Sequence, residues 1–288
     1  MSKRSVVVMG LPGSGKTTFL AALWHLVSEK EVPCKLTYVS LQASNIEHLH
    51  EIASQWRAAK KQERTAQGGD KLVSMILKAE GGEPQTVTFP DVAGEAFLQM
   101  WGRRECDETV AGWLKAPGVL LFIHADKVTV PKWVIDEKLL MEDLGIPPED
   151  GAEAEALVDW SPDVAPTQVQ LVDLLQSMQT EPLDVGPRRL AIILSAWDKA
   201  AGRGLSPEEY LARRMPLLDQ FLKNGLGPSW ERRIYGISAQ GGDYDDAKTT
   251  LADAERLRDI ELPSQRISVV HAGSQSNDLT EPLQWLLT

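Results

Sequence analysis

Residues Gly10-Leu-Pro-Gly-Ser-Gly-Lys-Thr17 satisfy the pattern G-x-x-x-x-G-K-[ST] at every position, and this octapeptide limits the fold more than any other feature of the chain. Such a loop works only where a buried strand delivers it and a helix leaves it, because backbone N–H groups and the positive end of a helix dipole must converge on one anion. Both neighbours are legible. Ser5-Val-Val-Val-Met-Gly10 is a short apolar run ending in glycine, and from Lys16 to about Lys30 the residues Phe19, Leu20, Leu23, Trp24 and Val27 recur at helical spacing. Gly10, Gly13 and Gly15 let the main chain wrap a phosphate closely. Lys16 is expected to reach β- and γ-phosphates, and the Thr17 hydroxyl to ligate Mg²⁺. The expected phosphate-side set is Gly10, Gly13, Ser14, Gly15, Lys16, Thr17 and Thr18.

Beyond this unit the apolar pattern alternates between short strands and helices. It predicts a strand over Lys35 to Leu41 and an amphipathic helix over Asn45 to Gln62, with Asn45 as cap and Trp56 on the apolar face. A hairpin of Leu72 to Leu77 and Thr86 to Phe89 turns at the Glu80-Gly-Gly-Glu-Pro84 segment. Helical spacing runs from Gly94 to Ala116 with a break expected at Gly102, followed by the buried strand Val119 to Ile123. After a Pro-, Glu- and Asp-rich stretch come a helix from Thr167 (its possible cap) to Met178, a strand at Leu190 to Leu194, one helix from Ser206 to Leu222, a strand at Arg233 to Ile237 and a last helix from Thr280 to Leu287. Near-continuous apolar strands separated by helices imply a mainly parallel sheet covered on both faces. The reading is an α/β, three-layer P-loop NTPase fold with helices on both faces and one antiparallel hairpin strand. It spans 1–288 as one domain, with insertions at about 35–62, 127–166 and 241–265.

Composition serves mainly to exclude. The 288 residues carry a formal net charge of −11, which argues against a nucleic-acid binder or a binder of anionic membranes. The longest apolar runs, Val6 to Met9 and Val119 to Ile123, are strand-sized, far short of the roughly 20 residues of a membrane span. Without a secretory pattern at the start, and with Cys34 and Cys106 in no metal-ligand spacing, the expected location is the cytoplasm. His48 and His50 cannot share a helix face, and the five histidines form no zinc or triad constellation.

A second set of residues fits the loop's chemistry. Asp91 follows the strand ending at Phe89 and begins Asp91-Val-Ala-Gly94, a D-x-x-G placed where a carboxylate could hold Mg²⁺ through water and the Gly94 amide could bind a γ-phosphate. Glu95 is positioned to orient an attacking water. Thr65, a few residues before the Leu72 strand, is the expected loop threonine over the metal, with Thr37 as its competitor. Arg64 is the best internal arginine for transition-state charge, with Arg103 and Arg104 behind it, unless a partner supplies one. Trp101, Trp133 and Trp160 fall in switch or insertion regions and are candidates for a partner surface.

Taken in order, Gly10 to Thr17, Thr65, Asp91 to Gly94, Leu194-Ser-Ala-Trp-Asp198 and Ser238-Ala239 resemble the motifs of the Ras-like superclass of translation-factor-related GTPases (the TRAFAC class). Within it, the chain is similar to the bacterial double-GTPase type in Asp91-Val-Ala-Gly-Glu95, Thr167-Gln-Val-Gln-Leu-Val172 and Leu279-Thr-Glu-Pro-Leu-Gln-Trp-Leu286. The resemblance implies Mg²⁺-dependent binding and hydrolysis of GTP to GDP. Asp198 then takes guanine N1–H and the exocyclic amine, and the Ser238 and Ala239 backbone meets O6. Ser195 and Ala196 depart from the family's Asn and Lys, Glu95 stands where many relatives carry glutamine, and Pro12 supplies no N–H inside the loop. The resemblance further implies protein partners that read the switch regions within a multi-component bacterial system. Two other functions fit the same residues: a slow or non-hydrolysing GTP-binding scaffold, and a P-loop ATPase or kinase.

Overall fold

Alternation along three strands decides the architecture. In β1 (Val6–Gly10), β5 (Gly118–His124) and β6 (Arg188–Ser195), successive side chains enter opposite apolar clusters. Val6, Val8, Leu120, Phe122, Ala191 and Ile193 fall in one cluster, and Val7, Met9, Leu121, Leu190, Ile192 and Leu194 in the other. A sheet apolar on both faces must be covered on both, and helices do this. The computed structural model describes residues 5–43, 46–61, 72–90, 94–131, 164–202, 204–246 and 248–288.

On the first face lie α1 (Lys16–Glu29), α2 (Ile46–Arg57), α9 (Ala252–Arg258) and α10 (Thr280–Leu287). The second carries α3 (Gly94–Arg103), α4 (Glu108–Leu114), α5 (Thr167–Ser177), α6 (Trp197–Ala201), α7 (Pro207–Arg214) and α8 (Pro216–Asn224). The main sheet has six strands in the order β1-β5-β6-β7-β8-β9, where β7 is Trp230–Ser238, β8 Ser268–His271 and β9 Ser274–Ser276. Its first four strands are parallel, so Gly10, His124, Ser195 and Ser238 all end at one edge.

The mainly parallel sheet and the two helical faces match the expectation; the antiparallel parts are distributed differently. The expected hairpin, β3 (Leu72–Ala79) with β4 (Gln85–Pro90), pairs with β2 (Leu36–Ala43) as a separate three-stranded antiparallel sheet, and β4 packs beside β1. The antiparallel strands of the main sheet are β8 and β9, joined at Ala272 and Gly273, both at positive φ as a tight hairpin turn requires.

Three helix boundaries also move. The break expected at Gly102 falls after Arg103 instead: Arg104 adopts φ 58°, and Asp107 caps the next helix by accepting the Thr109 N–H at 2.8 Å. The single helix expected over Ser206 to Leu222 is two. Ser206 and Glu209 close a capping box, but Pro216 bars its predecessor from helical geometry, and Met215 sits at φ −137°. Thr167 is the first helical residue of α5 rather than its cap, with its hydroxyl accepting the Thr129 N–H. The helix suggested near Trp133 lies outside the described residues, and the span 241–265, read as helix-poor, contains α9.

Candidate functional site

The loop between β1 and α1 is built to present backbone. Gly15 precedes the helix at φ 90°, no side chain among the described residues caps the start, and the first turn carries no acidic residue, which leaves its N–H groups suited to an anion. A Cβ on Gly15 would stand 3.1 Å from Ser195 Oγ, so the position is closed to larger residues by both backbone angle and space. The Lys16 ammonium lies inside the loop, donating to Gly10 O at 2.7 Å, Leu11 O at 3.1 Å and Ser14 Oγ at 3.2 Å. Thr17 and Thr18 follow in the first turn of α1, half-buried.

Ser195, which reads in the sequence as a departure from Asn, turns out to be structural support for the loop. Its buried hydroxyl donates to Ser14 O at 2.7 Å, tying the tip of β6 to the phosphate loop across 181 residues. Ala196 follows at φ 51° and starts α6. That short helix carries Trp197 into the core, where the ring leaves room only for glycine at Gly236, and Asp198 to the surface. Asp198 Oδ1 accepts the Ser238 hydroxyl at 2.5 Å, and its Oδ2 takes no hydrogen bond among the described residues. Ser238 Oγ also accepts the Gly241 N–H at 3.1 Å, closing the loop that contains Ala239. Lys199, one residue further, pairs with Asp243 at 2.8 Å, and that hydrogen bond holds its ammonium above the usual lysine range.

Gly94 opens α3 directly against the loop. A Cβ there would fall 2.3 Å from Pro12 N and 2.6 Å from Leu11 C, so only glycine permits the approach. The motif glycine and the phosphate loop are therefore in van der Waals contact, through the proline that the sequence marks as unusual. Asp91, Thr65 and Arg64 lie outside the described residues, as does the Glu95 side chain. Thr37, the competitor of Thr65, is inside β2 with its hydroxyl donated to Lys78 O at 3.1 Å, so it is a strand residue rather than a loop ligand. Arg104 is engaged with Asp173 of α5 and with the Trp101 ring, 5.2 Å from its centroid. Burial raises both thiols, Cys34 to about 12, which makes them poor nucleophiles.

At the β5 tip, His124 Nδ1 accepts the Asp126 N–H at 3.2 Å, and burial, with Lys127 adding to it, holds its pKa below the ordinary value. The phosphate loop, the Gly94 contact, Asp198 and the Ser238-Ala239 turn thus gather at the carboxyl edge of one parallel sheet, where open α/β sheets take their ligands.

A family model described as Double-GTPase 1 matches residues 7–286. The chain belongs to the Double-GTPase 1 family. Membership in this family supports guanine-nucleotide binding. No curated protein matches the chain. Among solved structures, it is similar to the GTP-bound Ski7 GTPase-like domain of S. cerevisiae, at 15% identity and TM-score 0.42, over 90% of this chain and 49% of that one. A putative nucleolar GTP-binding protein 1 from Plasmodium falciparum gives 12% identity and TM-score 0.38, with 88% and 81% covered. The SRb-GTP/SRX complex from Chaetomium thermophilum gives 13% and 0.39, with 86% and 95% covered. The Double-GTPase 1 chain spans about half the length of the Ski7 domain. No helix among its described residues is long and apolar enough to cross a membrane.

Proposed function

We propose that this Double-GTPase 1 member binds GTP with Mg²⁺ at the carboxyl edge of its main sheet and hydrolyses it as a molecular switch. The observation that carries the reading is the Ser195 Oγ to Ser14 O bond, which joins the phosphate loop to the strand end that leads into Asp198. One ligand can then touch both: phosphates on the loop amides and Lys16, a purine on Asp198. On this reading the Asp198 carboxylate accepts the guanine N1–H and exocyclic amine, while adenine would leave it unpaired. The Ala239 N–H meets O6.

Thr17, Thr65 and Asp91 supply two hydroxyls and a carboxylate, the hard oxygen donors that suit Mg²⁺, and the bound ion would neutralise charge on the β- and γ-phosphates. Lys16 exchanges its loop carbonyls for phosphate oxygens. Glu95 orients a water in line with the γ-phosphorus; the new P–O bond forms as the bond to the β–γ bridging oxygen breaks, leaving GDP and inorganic phosphate. Gly94, whose backbone touches Pro12, senses whether the γ-phosphate is present and transmits the difference through α3 to protein partners. Arg64 or a partner's arginine supplies transition-state charge. We place the protein as one domain in the cytoplasm, in a multi-component bacterial system.

One contact favours a second reading, a GTP-binding scaffold with slow turnover: Pro12 fills the space beside Gly94 and offers no N–H there. Calorimetry with GTP and ATP, with and without Mg²⁺, followed by single-turnover phosphate release, tests all of this. GTP preference with phosphate release that disappears in Lys16→Ala supports the switch; GTP binding without release supports the scaffold. ATP preference removes the base assignment.

A further inference from the structure

We propose that Trp56, through its indole N–H, is a positioning residue for base recognition: it holds the Ala239 carbonyl and so limits rotation of the adjoining 238–239 peptide, which presents the Ala239 N–H to guanine O6. This rests on the proposed base site and adds a residue that no motif contains. Trp56 is next to last in α2, within a segment that reads in sequence as an insertion, and it is fully buried. Its Nε1–H donates to Ala239 O at 2.8 Å, across 183 residues. A buried indole N–H needs an acceptor, and the one it takes here is a carbonyl of the proposed base-recognition loop.

The indole cannot easily turn away. The His25 ring of α1 stands 4.9 Å from it, and the Arg266 guanidinium lies 5.5 Å over its face while donating to Trp56 O and Arg57 O. On the other flank, Ser238 Oγ is fixed by Asp198 Oδ1 and Gly241 N–H. Ser238 is also the last residue of β7, paired with Ser268 of β8, so the chain is held by the strand end before Ala239 and by the Trp56 indole after it. With Ser238 held on one side and the 239–240 peptide on the other, the planar 238–239 peptide between them, which carries the Ala239 N–H, has little room to rotate. Loss of the Trp56 donor frees the 239–240 peptide and leaves Ala239 O without its partner.

Trp56→Phe keeps an aromatic ring beside His25 and Arg266 and removes the donor together with some buried ring volume, a packing loss that does not distinguish one base from another. The probes are GTP, 6-thio-GTP and ITP, with affinities measured by calorimetry. 6-Thio-GTP keeps N1–H and the exocyclic amine and replaces O6 with a weaker, larger acceptor; ITP lacks only the amine read by Asp198. In Trp56→Phe the preference for GTP over 6-thio-GTP is expected to fall roughly threefold to tenfold, the worth of one hydrogen bond, while the preference over ITP stays unchanged. If both preferences stay the same, or both fall alike, Trp56 is a packing residue and the inference is overturned. If the wild type itself fails to prefer GTP over ITP, the base site is wrong and the inference falls with it.

Should the variant not fold, the wild type provides the second measurement. The ¹⁵N-indole resonance of Trp56, identified by its through-space contact to the His25 ring, is expected to shift on adding GTP and to shift less with 6-thio-GTP. An indole resonance that responds equally to both overturns the proposal.

Discussion

The two ends of the proposed nucleotide site are made in opposite ways. The phosphate end is eight consecutive residues between adjacent elements, and its lysine bonds to carbonyls no more than six positions away. The base end is assembled from α2, α6 and the turn after β7, held by contacts spanning 40 residues (Ser238 to Asp198) and 183 residues (Trp56 to Ala239). At the phosphate end the recognising groups are local and are braced from outside by Ser195 and Gly94, whereas at the base end the recognising groups themselves come from separate elements. Substitutions at the phosphate end should therefore reduce affinity for every nucleotide, and those at the base end should change which nucleotide is preferred.

The largest expected effect is Lys16→Ala. Losing two or three charge-assisted hydrogen bonds to phosphate should weaken GTP and ATP alike by about a thousandfold, with thermal stability little changed; fluorescent-nucleotide titration reads the first and calorimetric unfolding the second. Asp198→Asn should instead move the GTP-to-xanthosine-triphosphate preference by roughly a hundredfold, leaving the better of the two affinities near the original value. If Asp198→Asn weakened all nucleotides equally, the division between the two ends would collapse.

Gly94→Ala probes the contact between the motif glycine and the loop. The added methyl meets the Pro12 backbone, so Leu11 and Pro12 must shift, at a cost of about 1–3 kcal/mol in a denaturant titration and with loss of single-turnover hydrolysis. Ser195→Ala removes one donor to Ser14 O and is expected to cost about 1 kcal/mol of triphosphate affinity without altering base preference, by competition titration.

The smallest effect is a pH dependence. Burial holds His25 below its ordinary value of 6.5, against the pull of Glu31, so the folded protein resists a proton that the unfolded chain accepts. Stability should fall as pH drops below about 6.5 and be flat above it, and His25→Asn should flatten the acid side of a melting-temperature profile.

Much of the fold was legible because it rests on short-range regularities. The strands and helices around Gly10 to Thr17, the helix Ile46–Arg57 and the last helix Thr280–Leu287 declare themselves by apolar spacing, which is the local signature of burial on one face or two. Pro216 and Gly273 were also local signals in the sequence, since proline restricts the residue before it and glycine accepts the positive φ of a tight turn, whereas nothing in Ala272 announces its φ of 48°. Sequence reading passed over them because the flanking helical spacing runs through the first, and the second joins strands of only four and three residues.

By itself, then, the sequence determined a glycine-rich strand-to-helix loop on an α/β sheet, because glycine angles, a helix start and a lysine within six residues are all local chemistry. Tertiary structure decided what surrounds that loop. It brought the Ser195 hydroxyl beneath Ser14, the Gly94 backbone against Pro12, and the Trp56 indole onto Ala239. None of these pairings has a spacing rule, because each depends on where the parallel strands end and on which helix covers them. Their energies come from packing and hydrogen bonds between segments far apart in the chain, which exist only after the core has closed.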